Sequence, residues 1–360
     1  MERQILTLRI VGALFIGSCL LAPTLWQPAL DASWAWLLRR SLFNASYFET
    51  LWTVSLYILF ESYYVSLATT SKPRPPMPKR VDQRAGRAHL WKNGTVRVRK
   101  LRGRLSELVV YVAPLLLLDL ILIKKFKGVA WQDIVSSGGY EPHSLLNATY
   151  SSPANIKSTN FLAPSIHNFS FSSPLQLTRA LPPRPITSRR LVVELLSSLV
   201  LYDALFFVVH LSLHKIPFLY SKLHATHHDH AEIHAQITNR LDLGERLLLV
   251  LTANFSLQII GAHVMTRTAF VPAFVLFLVQ NHCGLDVLSY DKILPKGWGA
   301  GPSVHAQHHR LGTTGYAPYL RWCDDLYERL TSSRSNVEAQ RRKDSEKMAR
   351  LLDKTGVNSD

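Results

Sequence analysis

The sequence predicts an all-α integral membrane protein. Hydrophobic residues make up 47% of the 360 residues and charged residues only 18%. The apolar residues are gathered in runs long enough to cross about 30 Å of hydrocarbon as helices. Between those runs the Lys and Arg residues lie in blocks, and the net charge is +16. Such blocks are typical of cytoplasmic membrane flanks, whereas a nucleic-acid-binding protein carries its basic residues on a soluble surface.

Four apolar runs predict membrane-spanning helices, and two shorter runs predict a helical hairpin. The first resembles a signal peptide, but Pro23 follows it and no A-x-A cleavage site is present, so we expect an uncleaved anchor. The hairpin is expected to begin and end on the same side of the membrane without crossing it fully. The four runs are Ile5–Leu21, Leu51–Ala68, Leu105–Ile123 and Leu191–His210, and the hairpin comprises Leu247–Ala262 and Thr268–Val279.

The distribution of basic residues predicts the orientation. Residues 72–104 contain twelve basic residues and a single acidic one, Asp82, which places that loop in the cytosol. Residues 124–190 are then luminal, with N-glycosylation sequons at Asn147 and Asn168, and the same parity puts the sequon at Asn44 in the lumen. Seven basic residues oppose this orientation by flanking spans on the luminal side: Lys124, Lys125, Lys127, Arg179, Arg184, Arg189 and Arg190.

Histidine is in excess, and its spacing predicts a metal site. The chain has 15 histidines, eight of which form one HxxxH and two HxxHH clusters. Imidazoles four residues apart on a helix lie on one face and can converge on one ion. Eight rings exceed what a single ion binds, so the pattern predicts two metal ions, each held by four or five rings. The clusters are His210 and His214, then His224, His227 and His228, then His305, His308 and His309.

Other catalytic patterns are absent from the sequence. The clusters contain no carboxylate, as an HExxH protease motif would, and the three cysteines (Cys19, Cys283 and Cys323) form no CxxC pair. The glycines at 297, 299 and 301 match no nucleotide-binding loop and are expected to form a turn. Among metal-dependent functions, two remain open: a metal transporter, which would bind metal at the midplane of broken helices, and a zinc hydrolase with a carboxylate base near the metal.

The clusters, in this order, resemble the fatty acid hydroxylase/sterol desaturase superfamily of membrane non-haem di-iron enzymes. The resemblance extends over Leu191–Leu330, and within the superfamily it is greatest to cholesterol 25-hydroxylases. Its strongest segments are "LYDALFFVVHLSLHKIPFLYSKLHATHH" and "NHCGLDVLSYDKILPKGWGAGPSVHAQHH" followed by "GYAPYL". The family's histidine before the last cluster falls on His282, which the resemblance implies is a ninth metal ligand.

The resemblance implies an O2-dependent monooxygenase with two iron ions that hydroxylates a C–H bond of a lipid-like substrate. A sterol, fatty acyl, terpenoid or polyketide substrate is compatible, as are lipid or specialised-metabolite biosynthesis and a desaturase activity. It also implies electrons from cytochrome b5 and its reductase, residence in the endoplasmic reticulum and an active site on the cytosolic face. The organisation that follows is N-terminal spans with a luminal loop (1–70), a basic cytosolic loop (71–104), a span with a luminal loop (105–190), a catalytic domain with a cytosolic helical cap (191–330) and a charged cytosolic tail (331–360).

Several polar residues near the clusters have two interpretations. Asp203 lies seven residues before His210 on nearly the same helical face, so it could orient a ligand imidazole or simply satisfy helix packing. Asn281 and Asp286, beside His282, could do the same or cap loops. His230 and His234 are expected to be bystanders rather than ligands. The remaining histidines are treated as ordinary: His89, His143, His167 and His263.

Overall fold

The computed structural model describes residues 2–69, 91–92, 95–96, 105–138, 165–166, 175–230, 233–331, 341–347 and 350. These residues are mostly helical, which confirms the predicted fold class. The predictions that concern most of the basic loop, the sequons at Asn147 and Asn168 and three of the ordinary histidines lie outside the described residues, whereas Asn44 is the last residue of a short helix.

The elements below carry labels used throughout. The α-helices are α1 (Glu2–Leu21), α2 (Pro23–Leu38), α3 (Ser41–Asn44), α4 (Phe48–Thr69), α5 (Leu105–Ile121), α6 (Trp131–Ser137), α7 (Ser188–Lys215), α8 (Pro217–Leu219), α9 (Ala225–His228), α10 (Leu243–Ile259), α11 (Val264–His282), α12 (Tyr290–Ile293), α13 (Pro302–Leu311) and α14 (Trp322–Thr331). A π-helical turn (Tyr220–His224) precedes α9, and a 3₁₀ helix (Ala235–Asn239) follows it. Short strands form two antiparallel pairs. In the first, β1 (Trp91–Lys92) pairs with β2 (Thr95–Val96), and in the second, β3 (Leu122–Ile123) pairs with β4 (Ser165–Ile166).

Within the described residues, α1, α7 and α11 are long and apolar enough to cross a membrane by length and composition. The predicted second span exists as α4 but is not among these three, and it contains the buried Glu61. The third corresponds to α5, whose apolar stretch is Val112–Ile121.

The hairpin of α10 and α11 is deeper than predicted. At the start of α7, Glu194 accepts hydrogen bonds from the His263 backbone N–H (2.8 Å) and the Thr266 hydroxyl (2.6 Å) at the hairpin turn. At the other end, Glu245 of α10 contacts His224, which lies beyond the end of α7. The hairpin therefore runs along most of α7. Its second helix, α11, is long and apolar enough to cross a membrane, so the prediction that both helices are too short was wrong for α11. The apolar run underestimated the length of α11, because polar residues occupy the buried first and last turns of this helix.

The sequence did not predict α2, which lies across one end of the bundle. Its first half contacts the start of α7, since the Gln27 amide donates to the Ile186 carbonyl (3.3 Å). Its second half contacts the start of α11, where the Trp34 ring lies 4.9 Å from the His263 ring. Because α2 contacts the start of both α7 and α11, it lies along this end of the bundle and does not cross it. Pro28 and the polar residues of α2 conceal it from an apolar-run analysis.

Four of the seven basic residues that opposed the predicted orientation have partners within the protein, although Arg189 and Arg190 are exposed. Lys124 pairs with Asp119, and Arg179 pairs with Glu49 at 3.0 Å. In the same region Arg190 pairs with Glu194 of α7, and Arg189 donates to the backbone carbonyl of Leu20 at 2.8 Å. A basic residue that is paired within the protein says little about membrane orientation, because the positive-inside rule concerns the charges of loops.

The main core surrounds α11, which packs against α4, α7 and α13. Aromatic rings from three segments meet there, with the Tyr202 ring 5.0 Å from that of Phe274 and 5.5 Å from that of Tyr319. Edge-on and tilted ring contacts of this kind add stability beyond the area that they bury. This ring cluster fixes the end of α11 from which His282 projects.

Candidate metal centre

The nine predicted metal-ligating histidines form two groups. Within each group the potential ligand nitrogens all lie within 4.8 Å of one another. Ligands on opposite sides of one ion with metal–nitrogen bonds of about 2.1 Å would be roughly 4 Å apart, so a spread of at most 4.8 Å needs only a small contraction around a single ion. The first group is His210, His214, His224, His228 and His308, and the second is His227, His282, His305 and His309.

Each HxxHH motif contributes to both groups. On a helix, the first and last histidines of the motif are about 40° apart, whereas the two adjacent histidines are about 100° apart. Accordingly, His224 and His228 belong to the first group and His227 to the second. The motif in α13 has the reverse arrangement: His305 and His309 belong to the second group and His308 to the first. The motif spacing therefore directs imidazoles from each motif into both groups.

The two long helices deliver their histidines to the end of the bundle. From Ser188 to His210 there are 22 steps along α7, or about 33 Å, which exceeds the thickness of the hydrocarbon core. His282 is the last residue of α11. The groups thus lie at helix ends rather than at the midplane of broken helices, which disfavours the transporter interpretation.

In the first group, the ring nitrogens that point toward one another carry lone pairs rather than protons. His210 Nδ1 lies 2.7 Å from the Tyr316 carbonyl oxygen, and His224 Nδ1 lies 2.7 Å from Glu245 Oε1. A backbone carbonyl has no proton to donate, so His210 Nδ1 must hold the ring proton, and an ionised Glu245 requires the same of His224 Nδ1. With both protons so placed, the two Nε2 atoms face each other at 3.2 Å without a hydrogen between them. Lone pairs at that distance repel unless a cation lies between them, so the donor set fits a metal.

Two further rings have the same tautomer for the same reason. His282 Nδ1 donates to the Leu278 carbonyl (2.8 Å), and His308 Nδ1 donates to the Thr314 carbonyl (2.8 Å). In the second group, His282 Nε2 lies 2.9 Å from His305 Nε2. Backbone carbonyls therefore orient rings of both groups, as is usual for histidines that bind metal.

Burial keeps these rings neutral. Burial and, next, the neighbouring imidazoles lower the pKa of His305, His308 and His309 well below the usual value. A metal ligand must be the neutral imidazole, so the environment favours the form that binds. Neither group contains a carboxylate or thiolate among the described residues, and imidazole ligands suit zinc, copper, iron and nickel.

Sequence reasoning missed Glu245, which holds His224 through the nitrogen that faces away from the group. Both side chains are almost fully buried. Gly244 allows this contact, because a Cβ there would lie 2.7 Å from Leu223 Cδ2 in the π-helical turn. A buried acid at the start of an apolar helix was the available signal. Its carboxylate is directed at Nδ1, so it does not supply the base that a zinc hydrolase would need at the metal.

His230 is in neither group, as predicted, but it is not a bystander. Its Nε2 lies 3.0 Å from His309 Nδ1, on the side of that ring away from the metal-facing nitrogen. His234 also lies outside both groups. His263 caps the start of α11 by accepting from the Met265 backbone N–H.

Of the two interpretations of Asp203, the contacts of its carboxylate favour a packing role over direct contact with a ligand imidazole. Asp203 Oδ1 accepts hydrogen bonds from the backbone N–H groups of Tyr319 (2.8 Å) and Leu320 (2.9 Å). Asp324 likewise binds the backbone N–H groups of Tyr316 and Ala317. The two carboxylates therefore fix the segment that presents the Tyr316 carbonyl to His210. Asp203, on the same helical face as His210, can reach this segment because the chain packs back against α7 after α13.

The two residues beside His282 also support loops rather than ligands. Asn281 donates to the Pro318 carbonyl (2.5 Å) and accepts from the Tyr290 hydroxyl (2.9 Å). Asp286 forms an ion pair with Lys292. The glycine turn is confirmed, since Gly297 has φ +86° and Gly301 precedes the first residue of α13.

Comparison with known proteins places this centre in context. Residues 195–328 match the sequence model of a family described as fatty acid hydroxylase. The chain is 33% identical over 142 residues to a cholesterol 25-hydroxylase-like protein of Danio rerio, covering 39% of this chain and 57% of the relative. It is 29% identical over 144 residues to cholesterol 25-hydroxylase of Homo sapiens (40% and 53%). It is 27% identical over 190 residues to methylsterol monooxygenase 2-2 of Arabidopsis thaliana (48% and 70%).

These matches confirm the resemblance predicted from the histidine motifs. The matched regions span about half the length of the cholesterol 25-hydroxylase relatives. No solved structure is significantly similar to the chain.

Proposed function

We propose that this chain, whose residues 195–328 match the fatty acid hydroxylase family, is a membrane di-iron oxygenase that hydroxylates an unactivated C–H bond of a lipid-like substrate. The observation that carries the proposal is the convergence of nine imidazoles in two adjacent groups. The nine would be the ligands of two iron ions. When bound, that metal pair would supply the O2-dependent oxidation of the C–H bond.

The chain's own residues would hold the ligands and exclude water. Carbonyls of Leu278, Thr314 and Tyr316 fix the ring tautomers of three ligands. Glu245 fixes a fourth, and His230 contacts a fifth. Most of the nine rings are buried, and a dry site strengthens electrostatic interactions and limits side reactions.

The relatives favour hydroxylation of a sterol, since their names refer to cholesterol and methylsterol. Fatty acyl, terpenoid and polyketide substrates remain alternatives, as does desaturation, because both reactions begin by removing hydrogen from a C–H bond. Turnover of candidate lipids by the purified protein, with products identified by mass spectrometry, would separate these outcomes.

We further propose that the metal centre faces the cytosol, in the endoplasmic reticulum, and receives electrons from cytochrome b5 and its reductase. The twelve basic residues in 72–104 support this orientation. Asn147 and Asn168 should then carry glycans in a eukaryotic host, as detected by a mobility shift removed by endoglycosidase. Asn147→Gln and Asn168→Gln should each remove one glycan. A glycan on Asn93, in the basic loop, would invert the orientation.

The decisive measurement is metal content per chain of detergent-purified protein grown with iron, together with O2 uptake after reduction. We expect two irons, and loss of metal and O2 uptake in His227→Ala and His308→Ala, which alter different groups. His263→Asn is the matched control, because it changes a buried histidine outside both groups and retains a residue suited to capping α11. A single zinc per chain would favour the hydrolase, and full activity in both alanine variants would reject the ligand assignment.

A further inference from the structure

A cavity of about 400 Å³ lies between α4, α5, α10 and α11, away from the metal centre. Its outer wall is open, since Leu251 and Phe255 are 53% and 43% exposed. We call it the lateral groove, and its size falls within the range of ligand pockets. Its apolar walls include Leu118, Leu251, Phe255 and Phe274, and its polar end includes Glu49, Lys124, Lys125 and Arg267.

The lateral groove is separate from the histidine groups. Arg267 and His282 are 15 residues apart on α11, a distance of about 22 Å along the axis. Phe274 lines the inner end of the groove, and its ring packs against that of Tyr202 at 5.0 Å. Tyr319 continues this ring cluster toward the metal centre. A ligand in the groove would therefore bind at the opposite half of the bundle from the oxidation site.

The polar end of the groove carries an excess of positive charge. Glu49 accepts from both Arg179 and Arg267, each at 3.0 Å, and Asp119 pairs with Lys124. With Lys125, the described residues around this end of the groove include four cations and two carboxylates. Burial lowers the pKa of Lys125, so a bound anion would favour its charged form. An excess of charge at the edge of a hydrocarbon layer attracts an anionic group.

The dimensions of the groove match an amphipathic molecule. Arg267 lies in the first turn of α11, the level of lipid headgroups if that helix crosses the membrane. From there to Phe274 the groove extends about 10 Å along the helix. Its walls over that depth are apolar and open to the side. An anion with an alkyl chain would place its charge on the cations and its chain against the walls.

We infer that the lateral groove binds a glycerophospholipid with an anionic headgroup. Lys124, Lys125 and Arg267 bind the phosphate. One acyl chain lies against Leu118, Leu251 and Phe255. This inference stands on charge and shape alone and does not depend on the proposed function.

The test is native mass spectrometry of the full chain in detergent with added phosphatidylglycerol or phosphatidylcholine. We expect the wild type to retain one phosphatidylglycerol under conditions that remove phosphatidylcholine. Lys125→Gln should reduce that retention about tenfold, as expected for loss of one charge-assisted hydrogen bond. Leu251→Trp should reduce it by filling the groove.

The controls are Lys127→Gln, an exposed lysine two residues along the chain, and Ile259→Trp, an exposed residue of α10 outside the groove. Both should retain the lipid as the wild type does, which separates the groove from general attraction to a basic chain. Equal retention of the two lipids, or unchanged retention in Lys125→Gln and Leu251→Trp, would overturn the inference. So would competition by inorganic phosphate at millimolar concentration, because it would indicate an anion site that needs no acyl chain. If Leu251→Trp fails to fold, Lys125→Gln with its control decides alone.

Discussion

His224 depends on a residue that lies far from it in sequence. Spacing within the motif predicted its partners in the first group, because i, i+4 geometry is local. The contact with Glu245 could not be predicted in this way, since it requires α10 to approach the π-helical turn. For Asp203, helical spacing left two interpretations open, and only the fold shows that its carboxylate binds the backbone at Tyr319 and Leu320. Local spacing therefore predicted which histidines come together, but it could not identify the residues that support them.

The Glu245 contact leads to a prediction about metal affinity. Glu245→Ala should weaken metal binding about 10- to 100-fold, the usual cost of losing an outer partner of a ligand histidine. Glu245→Gln should cost less, because its amide oxygen can still accept from His224 Nδ1. The measurement is competition with a chelator, read as bound metal per chain.

The matched control for this test is Asp242→Asn, which removes an acid three residues away that lies outside both histidine groups. It should leave the affinity unchanged. If Asp242→Asn and Glu245→Ala weaken binding equally, the effect is one of general charge and the positioning role of Glu245 is refuted.

At the level of elements, helix ends determine where the ligands lie. The helix α13 stops at Gly312, which has φ +67° and donates its backbone N–H to the His308 carbonyl at 2.7 Å. The chain then reverses and brings Thr314 and Tyr316 to the histidines. The sequence predicted the long apolar helices because their apolar residues form continuous runs, and it missed α2 because tryptophans, Pro28 and polar residues divide its apolar surface.

Gly312→Ala should destabilise the protein by about 1 kcal/mol, because an L side chain is strained at positive φ. Gly312→Asn should cost less, since asparagine tolerates this conformation. Thermal unfolding monitored by circular dichroism is the measurement. Gly12→Ala in α1 is a control of opposite sign: no atom lies within 4 Å of its added Cβ, and alanine favours a helix. A midpoint unchanged in Gly312→Ala would contradict the strained cap.

At the scale of the whole molecule, the buried histidines link stability to pH. His305, His308 and His309 have lowered pKa values in the folded protein, whereas in the unfolded chain they take up protons below about pH 6.5. The unfolded state thus binds more protons at acid pH. Their contribution is fully present above pH 6.5 and is lost as the pH falls below that value.

The midpoint of thermal unfolding of the metal-free protein should therefore fall between pH 7.5 and pH 5.5. The limiting slope is about 1.4 kcal/mol per pH unit for each histidine that titrates. His308→Gln should show a shallower dependence, because one buried titrating ring is removed. A flat midpoint over this range would show that the rings protonate without unfolding.

The shared use of the HxxHH motifs has a consequence for how the two ions are acquired. Because each motif contributes to both groups, binding the first ion would immobilise α9 and α13 together. The second ion would then bind to segments that are already ordered, so its binding would involve a smaller loss of conformational entropy. The second ion should bind more tightly than the first, so partly loaded protein would contain mainly empty and doubly occupied chains.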